Sequence, residues 1–280
     1  MVPWGRVGRR LVAFWRCLGG WPGRFGTKQI TALFCLVTRE REQSGRGAIE
    51  PARPLNRCYI KFMDMSDQEK YDQIFEANSK WIEKNKEENP GLFKLLVAEQ
   101  HPDFLYIGCS DSRVHPNQVM GLKPGEVFIH RNIANMVSAL DLSAHSVINY
   151  GVEYLKVKYI IICGHYGCGG IQAAMENLDY GILNPWLRTI RDVYRLHKAE
   201  LDAIEDKEAR YRRFVEINTY EQCRNVLKMA EVQKSFYKNG FPKVAGWVFD
   251  NKDARLHDLH FDFEGELQSI KEIYDIMGNL

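Results

Sequence analysis

No stretch of this sequence approaches the roughly 20 consecutive apolar residues that a membrane-spanning helix needs, so no span is expected. A disulfide framework is missing too. The seven cysteines, Cys17, Cys35, Cys58, Cys109, Cys163, Cys168 and Cys223, are odd in number and scattered in spacing. They read as reduced thiols of a cytosolic or matrix compartment. There is no C-x-x-C pair, which excludes a thioredoxin-type redox site. No internal repeat and no low-complexity segment occurs. Acidic residues are absent from the N-terminus until Glu40, although Arg6, Arg9, Arg10, Arg16, Arg24, Lys28 and Arg39 precede it. Serine is absent there as well, the first being Ser44.

What is present divides by charge. Residues 1–63 hold 12 Lys and Arg against 3 Asp and Glu, while the remainder holds 26 against 33. The net charge of +2 therefore hides a basic leader and a mildly acidic body. Such a body gives no footprint for nucleic acid. At about 100° per residue, Val7, Leu11, Phe14, Trp15 and Leu18 share one helical face, and Arg6, Arg9, Arg10 and Arg16 share the other. This reads as a mitochondrial transit peptide, directing the chain to the matrix. The lack of serine departs from that pattern. The alternatives are a disordered extension, or a cytoplasmic protein whose body begins near Met63 and Met65. The expected organisation is a targeting or disordered segment over 1–62 and one globular domain over 63–280. The 45% hydrophobic and 26% charged content suits such a domain.

Within the body, Ser66 and Glu69 form a capping-box pattern opening a helix, with Tyr71, Ile74, Phe75 and Ile82 as its apolar stripe. Pro90 follows the break after it. Short apolar strands are expected at Phe104–Ile107, running into Cys109, at Glu126–His130 and at Lys158–Cys163. Ser143–Leu155 reads as a helix with Val147, Ile148, Val152 and Leu155 inward. Long helices are expected over 184–239, strands at Lys243–Phe249 and Leu259–Phe263, and a last helix from about Glu266. Strands alternating with helices predict an α/β fold, a largely parallel central sheet flanked by helices, with an N-terminal helical arm. Sites in such sheets collect at the carboxyl ends of strands. Cys109 and His165 lie at two of those ends.

The loop "GHYGCGG", Gly164–Gly170, is the densest motif. Its glycines fit neither a P-loop, because no Lys follows, nor the G-x-G-x-x-G of a dinucleotide fold. His165 and Cys168 can both turn toward one metal ion, since glycine lets the loop bend sharply. Zinc accepts such a nitrogen and sulfur mixture. The nearest candidate third ligand is Cys109, with no paired Cys or His close by. Three ligands and an open fourth position are the pattern of a catalytic zinc. A buried core cysteine and a capping histidine are the bland account of the same residues. Two other readings stand beside these: a Cys109 nucleophile with His165 as base, and a non-catalytic zinc-folded oligomerisation module. Cys109 opens "CSDSR". If the strand continued, Cys109, Asp111 and Arg113 would alternate onto one side, with Asp111 and Arg113 paired beside the metal.

These residues resemble the β-class carbonic anhydrases. The family signature is C-x-D-x-R followed at long range by H-x-x-C, and both stand here, at Cys109–Arg113 and His165–Cys168. "HRNIAN", His130–Asn135, and "GHYGCGG" are similar to family stretches, and the likeness covers roughly residues 66–275. The resemblance implies Cys109, His165 and Cys168 as ligands of one Zn2+ per chain, with water in fourth place. It implies reversible hydration of carbon dioxide to bicarbonate and a proton, by attack of zinc-bound hydroxide on CO2. Asp111 and Arg113 would be the catalytic pair, with Asp111 taking the hydroxide's hydrogen bond and Arg113 keeping it ionised. Gln100, Phe128, Ile133, Tyr150 and Gly169 would form the substrate pocket. Its walls come from a neighbouring subunit in the family, implying a homodimer or higher homo-oligomer. Tyr106, Arg131 and Phe249 stand where some bacterial members carry the Trp, Arg and Tyr of an inhibitory bicarbonate site, so only the Arg is kept. His115, two residues past Arg113, is a candidate proton relay.

Overall fold

The structure, a computed structural model, describes residues 65–275. The expected leader over 1–62, with Cys17, Cys35 and Cys58, lies outside the described residues. The chain divides into two compact units, 1–78 and 79–280. The described part of the first is the opening of helix α1, Asp67–Glu88. Its start is the expected capping box: the Glu69 amide donates to Ser66 Oγ at 3.2 Å, and Glu69 Oε2 accepts from the Ser66 amide at 2.7 Å. The stripe of Tyr71, Ile74 and Phe75 is exposed, and α1 buries no residue.

In the second unit, α2 (Leu92–Val97) leads into β1 (Phe104–Cys109), α3 (Pro116–Met120) and β2 (Val127–Asn132). Next come α4 (Leu142–Asn149), extended by a π-helical turn over Tyr150–Tyr154, then β3 (Tyr159–His165) and α5 (Gly169–Met175). A helical block follows: α6 (Asn184–Leu196), α7 (Lys198–Asp202), α8 (Lys207–Leu227) and α9 (Ala230–Asn239). The described chain closes with β4 (Lys243–Asp250), β5 (Arg255–Asp258) and α10 (Phe263–Tyr274). Strand order is β2-β1-β3-β4-β5, parallel throughout except for the antiparallel edge strand β5. The fold is therefore the expected α/β architecture. Among the described residues no helix is long and apolar enough to cross a membrane.

Strand alternation sorts the core into layers. Leu105, Ile107, Ile160 and Ile162 meet Ile148 and Val152 of the α4 segment and Val226 and Leu227 of α8 on one face. Tyr106, Ile161, Cys163 and Phe249 pack on the other. A third cluster, Cys109, Met136, Cys168, Leu187, Phe214 and Val248, gathers at the carboxyl ends.

One expected strand is corrected. Leu259–Phe263 is not extended: His260 takes φ 50°, a left-handed backbone that ends any ladder, and β5 lies earlier. Leu259 and Phe261 still pack against the core, so their apolar alternation reflects burial rather than pairing. The last helix begins at Phe263 instead of Glu266, because Asp262 caps it by accepting from the Gly265 amide at 3.0 Å.

Candidate metal centre

Parallel pairing brings the ends of β1 and β3 side by side, with Gly108 opposite Cys163. Cys109 ends β1 and His165 ends β3. The chain then turns through Gly167 at φ 80°, which a side chain would strain, and returns Cys168 to the same point. Cys109 Sγ, Cys168 Sγ and a ring nitrogen of His165 lie within 4.8 Å of one another, and all three residues are buried. The two sulfurs stand 3.9 Å apart as free thiols. Two thiolates on one tetrahedral zinc, each about 2.3 Å from it, would be about 3.8 Å apart.

The histidine supplies the decisive atom. His165 Nδ1 faces the Tyr166 carbonyl at 3.2 Å. His165 Nε2 is buried with no hydrogen-bond partner. An orphaned buried imidazole nitrogen is costly, and a metal ion is the partner that a neighbouring pair of thiols suits. The donor set therefore fits a zinc ion. Between the thiols, Cys109 is held well below the ordinary range by its hydrogen bond with Cys168. Cys168 is pushed up by the same contact and by burial. The cation that would let both ionise is the one such a group recruits.

Asp111 Oδ2 lies 3.8 Å from His165 Nε2. Arg113 holds it with Nε on Oδ1 at 2.9 Å and a terminal nitrogen on Oδ2 at 2.7 Å. The same terminal nitrogen donates to the Gly167 carbonyl at 3.1 Å, tying the pair to the Gly167–Cys168 turn. These bonds keep the Asp111 carboxyl far below the usual carboxylate range. The alternation expected from "CSDSR" is not how Asp111 arrives. The strand stops at Cys109, and a turn follows in which the Arg113 amide donates to Asp111 Oδ1 at 2.9 Å.

The other expected residues are spread more widely. Ile133 sits beside the centre, against the start of α5, and is exposed. Gly169 opens α5 directly after Cys168. Phe128 and Tyr150 meet each other, ring centroids 5.8 Å apart. Phe128 pairs with Leu105, four residues before Cys109, so it is well removed along the strand. Gln100 is exposed in the loop before β1, and His115 is exposed ahead of α3. Arg131 is more than a leftover: it donates to the Cys109 carbonyl at 2.8 Å and the Asp111 carbonyl at 2.6 Å. Tyr106 and Phe249 are core. Sequence reasoning missed Asn251, which donates to the Tyr166 carbonyl at 2.9 Å, and Tyr211, which donates to the Cys168 carbonyl at 3.1 Å. Both act across long separations, where no local motif signals them.

Fold and centre together define a class of α/β enzymes with a sulfur–nitrogen metal-binding group at the strand ends. The family model described as carbonic anhydrase matches residues 104–256. A carbonic anhydrase of Emericella nidulans is 59% identical over 206 residues, 74% of this chain and 90% of the relative. Among solved structures, a β-carbonic anhydrase of Aspergillus fumigatus is 36% identical with a TM-score of 0.69, covering 73% of this chain and 98% of that one. A tetrameric β-carbonic anhydrase of Sordaria macrospora is 36% identical with a TM-score of 0.65, covering 68% and 96%. This chain belongs to the carbonic anhydrase family, in its β class.

Proposed function

We propose that the chain catalyses zinc-dependent, reversible hydration of CO2 to bicarbonate and a proton, with Cys109, His165 and Cys168 holding one zinc. The observation that carries this is the convergence of two buried thiols and the unpartnered His165 Nε2, with an ionised carboxylate 3.8 Å away. When bound, zinc supplies a water acidified toward neutral pH and a Lewis-acidic centre. Asp111, ionised and free of protons, can only accept a hydrogen bond, so it orients a nucleophilic oxygen that still carries one. Arg113 fixes the Asp111 rotamer and keeps it from protonating. Arg131 holds the backbone on both sides of Ser110. Two thiolates neutralise the ion more than three imidazoles would, which raises the demand on these supporting bonds.

We further propose a homodimer or larger homo-oligomer in which Phe128, Tyr150 and Gln100 complete a neighbour's apolar substrate pocket. The support is that Phe128 and Tyr150 stand away from their own chain's centre, on and beside the edge strand β2. Tyr150 and Ile129 are exposed there. Residues 1–62 are proposed to direct the chain to mitochondria, on the strength of their Arg-rich amphipathic face. A reporter fused to them that stays cytosolic removes that claim alone. The enzymatic reading is tested by oxygen-isotope exchange between bicarbonate and water. Exchange proportional to enzyme is expected, and a zinc-loaded chain at the uncatalysed rate would refute it.

A further inference from the structure

Helix α8 reaches the Cys168 carbonyl, the strand that ends in His165 and the turn whose amide faces Cys109. Near its start, Tyr211 donates to the Cys168 carbonyl at 3.1 Å. Two turns on, Asn218 Nδ2 donates to the Ala134 carbonyl at 3.2 Å. The next residue, Thr219, places its hydroxyl where a Cβ on Gly164 would come within 2.3 Å, so helix and β3 meet closely just before His165. Residues 211, 218 and 219 share one helical face.

Asn218 is the unusual member. It is fully buried, and its Oδ1 has no hydrogen-bond partner. A buried amide that is half satisfied is costly compared with an apolar residue of the same shape. Its donor end therefore has to be worth that cost. What it holds is a strained turn. Ala134 adopts φ 64° and ψ 33°, and Asn135 follows at φ 50°, two successive left-handed residues that are not glycine. In that conformation the Ala134 carbonyl faces α8 and the Ala134 amide donates to Cys109 Sγ at 3.4 Å. Neighbouring bonds brace the segment: Gln222 Oε1 accepts from the Val137 amide at 2.9 Å, and Asn132 Oδ1 accepts from the Met136 amide at 2.7 Å.

We propose that Asn218 is a positioning residue for the metal centre: by gripping the Ala134 carbonyl it holds a left-handed turn whose amide donates to Cys109 Sγ. This rests on the reading of Cys109, His165 and Cys168 as metal ligands. An N–H···S bond aims the sulfur and draws electron density from it. Partners outside the ligand set commonly tune metal affinity tenfold or more in this way. Without Asn218 the turn relaxes toward ordinary backbone and the amide leaves the sulfur.

Two readouts other than activity test this. The first is release of zinc from the loaded chain to a chromogenic chelator. The second is the sulfur-to-metal charge-transfer absorption of the cobalt-substituted chain. The variants are Asn218→Leu, which keeps the branched shape without a donor, and Asn218→Ala, which removes the amide altogether. Ser235→Ala, on α9, is the control, removing a part-buried hydrogen bond to the Phe241 carbonyl. Circular dichroism establishes which variants fold. Both Asn218 variants are expected to release zinc about tenfold faster or more. Their charge-transfer band should move to longer wavelength, because a sulfur stripped of its hydrogen bond is easier to oxidise. Ser235→Ala should match the parent. Parental release and an unmoved band in a folded Asn218 variant overturn the proposal. If the parent itself takes up neither zinc nor cobalt, the metal-site reading fails, and the proposal with it.

Discussion

Arg113 spends its guanidinium on both oxygens of Asp111 and on the Gly167 carbonyl, yet its side chain is 58% exposed. Solvent screening limits what such a pair is worth, but bidentate geometry directs the carboxylate more firmly than charge alone. Arg113→Ala is therefore expected to lower kcat/KM about tenfold to a hundredfold, roughly 1.4 to 2.7 kcal/mol of transition-state stabilisation, with zinc retained. Asp111→Asn should also lose activity, since an amide neither balances Arg113 nor acts as a pure acceptor. Hydration rates with metal content measured in each sample decide this; a zinc-replete Arg113→Ala at the parental rate would reduce the pair to surface decoration. The ligand candidates and this pair were legible as motifs because each lies within five residues of chain. The bonds that hold them were not. Arg131, Tyr211, Asn218 and Asn251 act over 20 to 85 residues, and only the sheet register and the path of α8 bring them together.

At the scale of elements, the contact between α8 and β3 depends on Gly164. A Cβ there would meet Thr219 Oγ1 at 2.3 Å, and that hydroxyl is itself bonded to the Val215 carbonyl. Gly164→Ala should cost about 1–3 kcal/mol by overpacking, read as a lower urea midpoint at unchanged slope. An unchanged midpoint would show that the helix gives way freely. A second tie joins α8 to α10: Arg224 donates to both oxygens of Glu266 at 2.7 Å, and Tyr220 donates to it at 2.9 Å. These bonds, Arg224 first, lower the Glu266 pKa from its ordinary value of 4.5. The stabilisation is therefore complete above that value and is lost as pH falls through the lower, folded one. Glu266→Gln should be about 1 kcal/mol less stable near neutral pH, with the gap closing in acid. A gap that is constant with pH would contradict this origin. The buried strands were readable because each is a compact apolar run ending in a turn. Leu259–Phe263 misled because its alternation is the same; the left-handed His260 leaves no trace in that pattern, and the Asp262 cap, a local bond to the Gly265 amide, starts the helix inside it. The stripe of α1 was legible as periodicity, but periodicity does not say what covers it.

For the whole molecule, an edge strand with exposed Ile129, beside exposed Tyr150, Tyr154 and Ile133, is an apolar surface of the kind that marks an interface. Light scattering should give at least twice the mass of one chain, and Tyr150→Ala should weaken both assembly and activity. A fully active monomer would contradict the shared pocket. The central claim is that one zinc, held by Cys109, His165 and Cys168, makes this chain a CO2 hydratase. The most direct test is stopped-flow CO2 hydration with zinc quantified in the same samples of parent and Cys168→Ala. The account predicts close to one zinc per chain with rapid hydration in the parent, and loss of both in the variant. An active parent without metal, or a Cys168→Ala chain that keeps zinc and full activity, would contradict it.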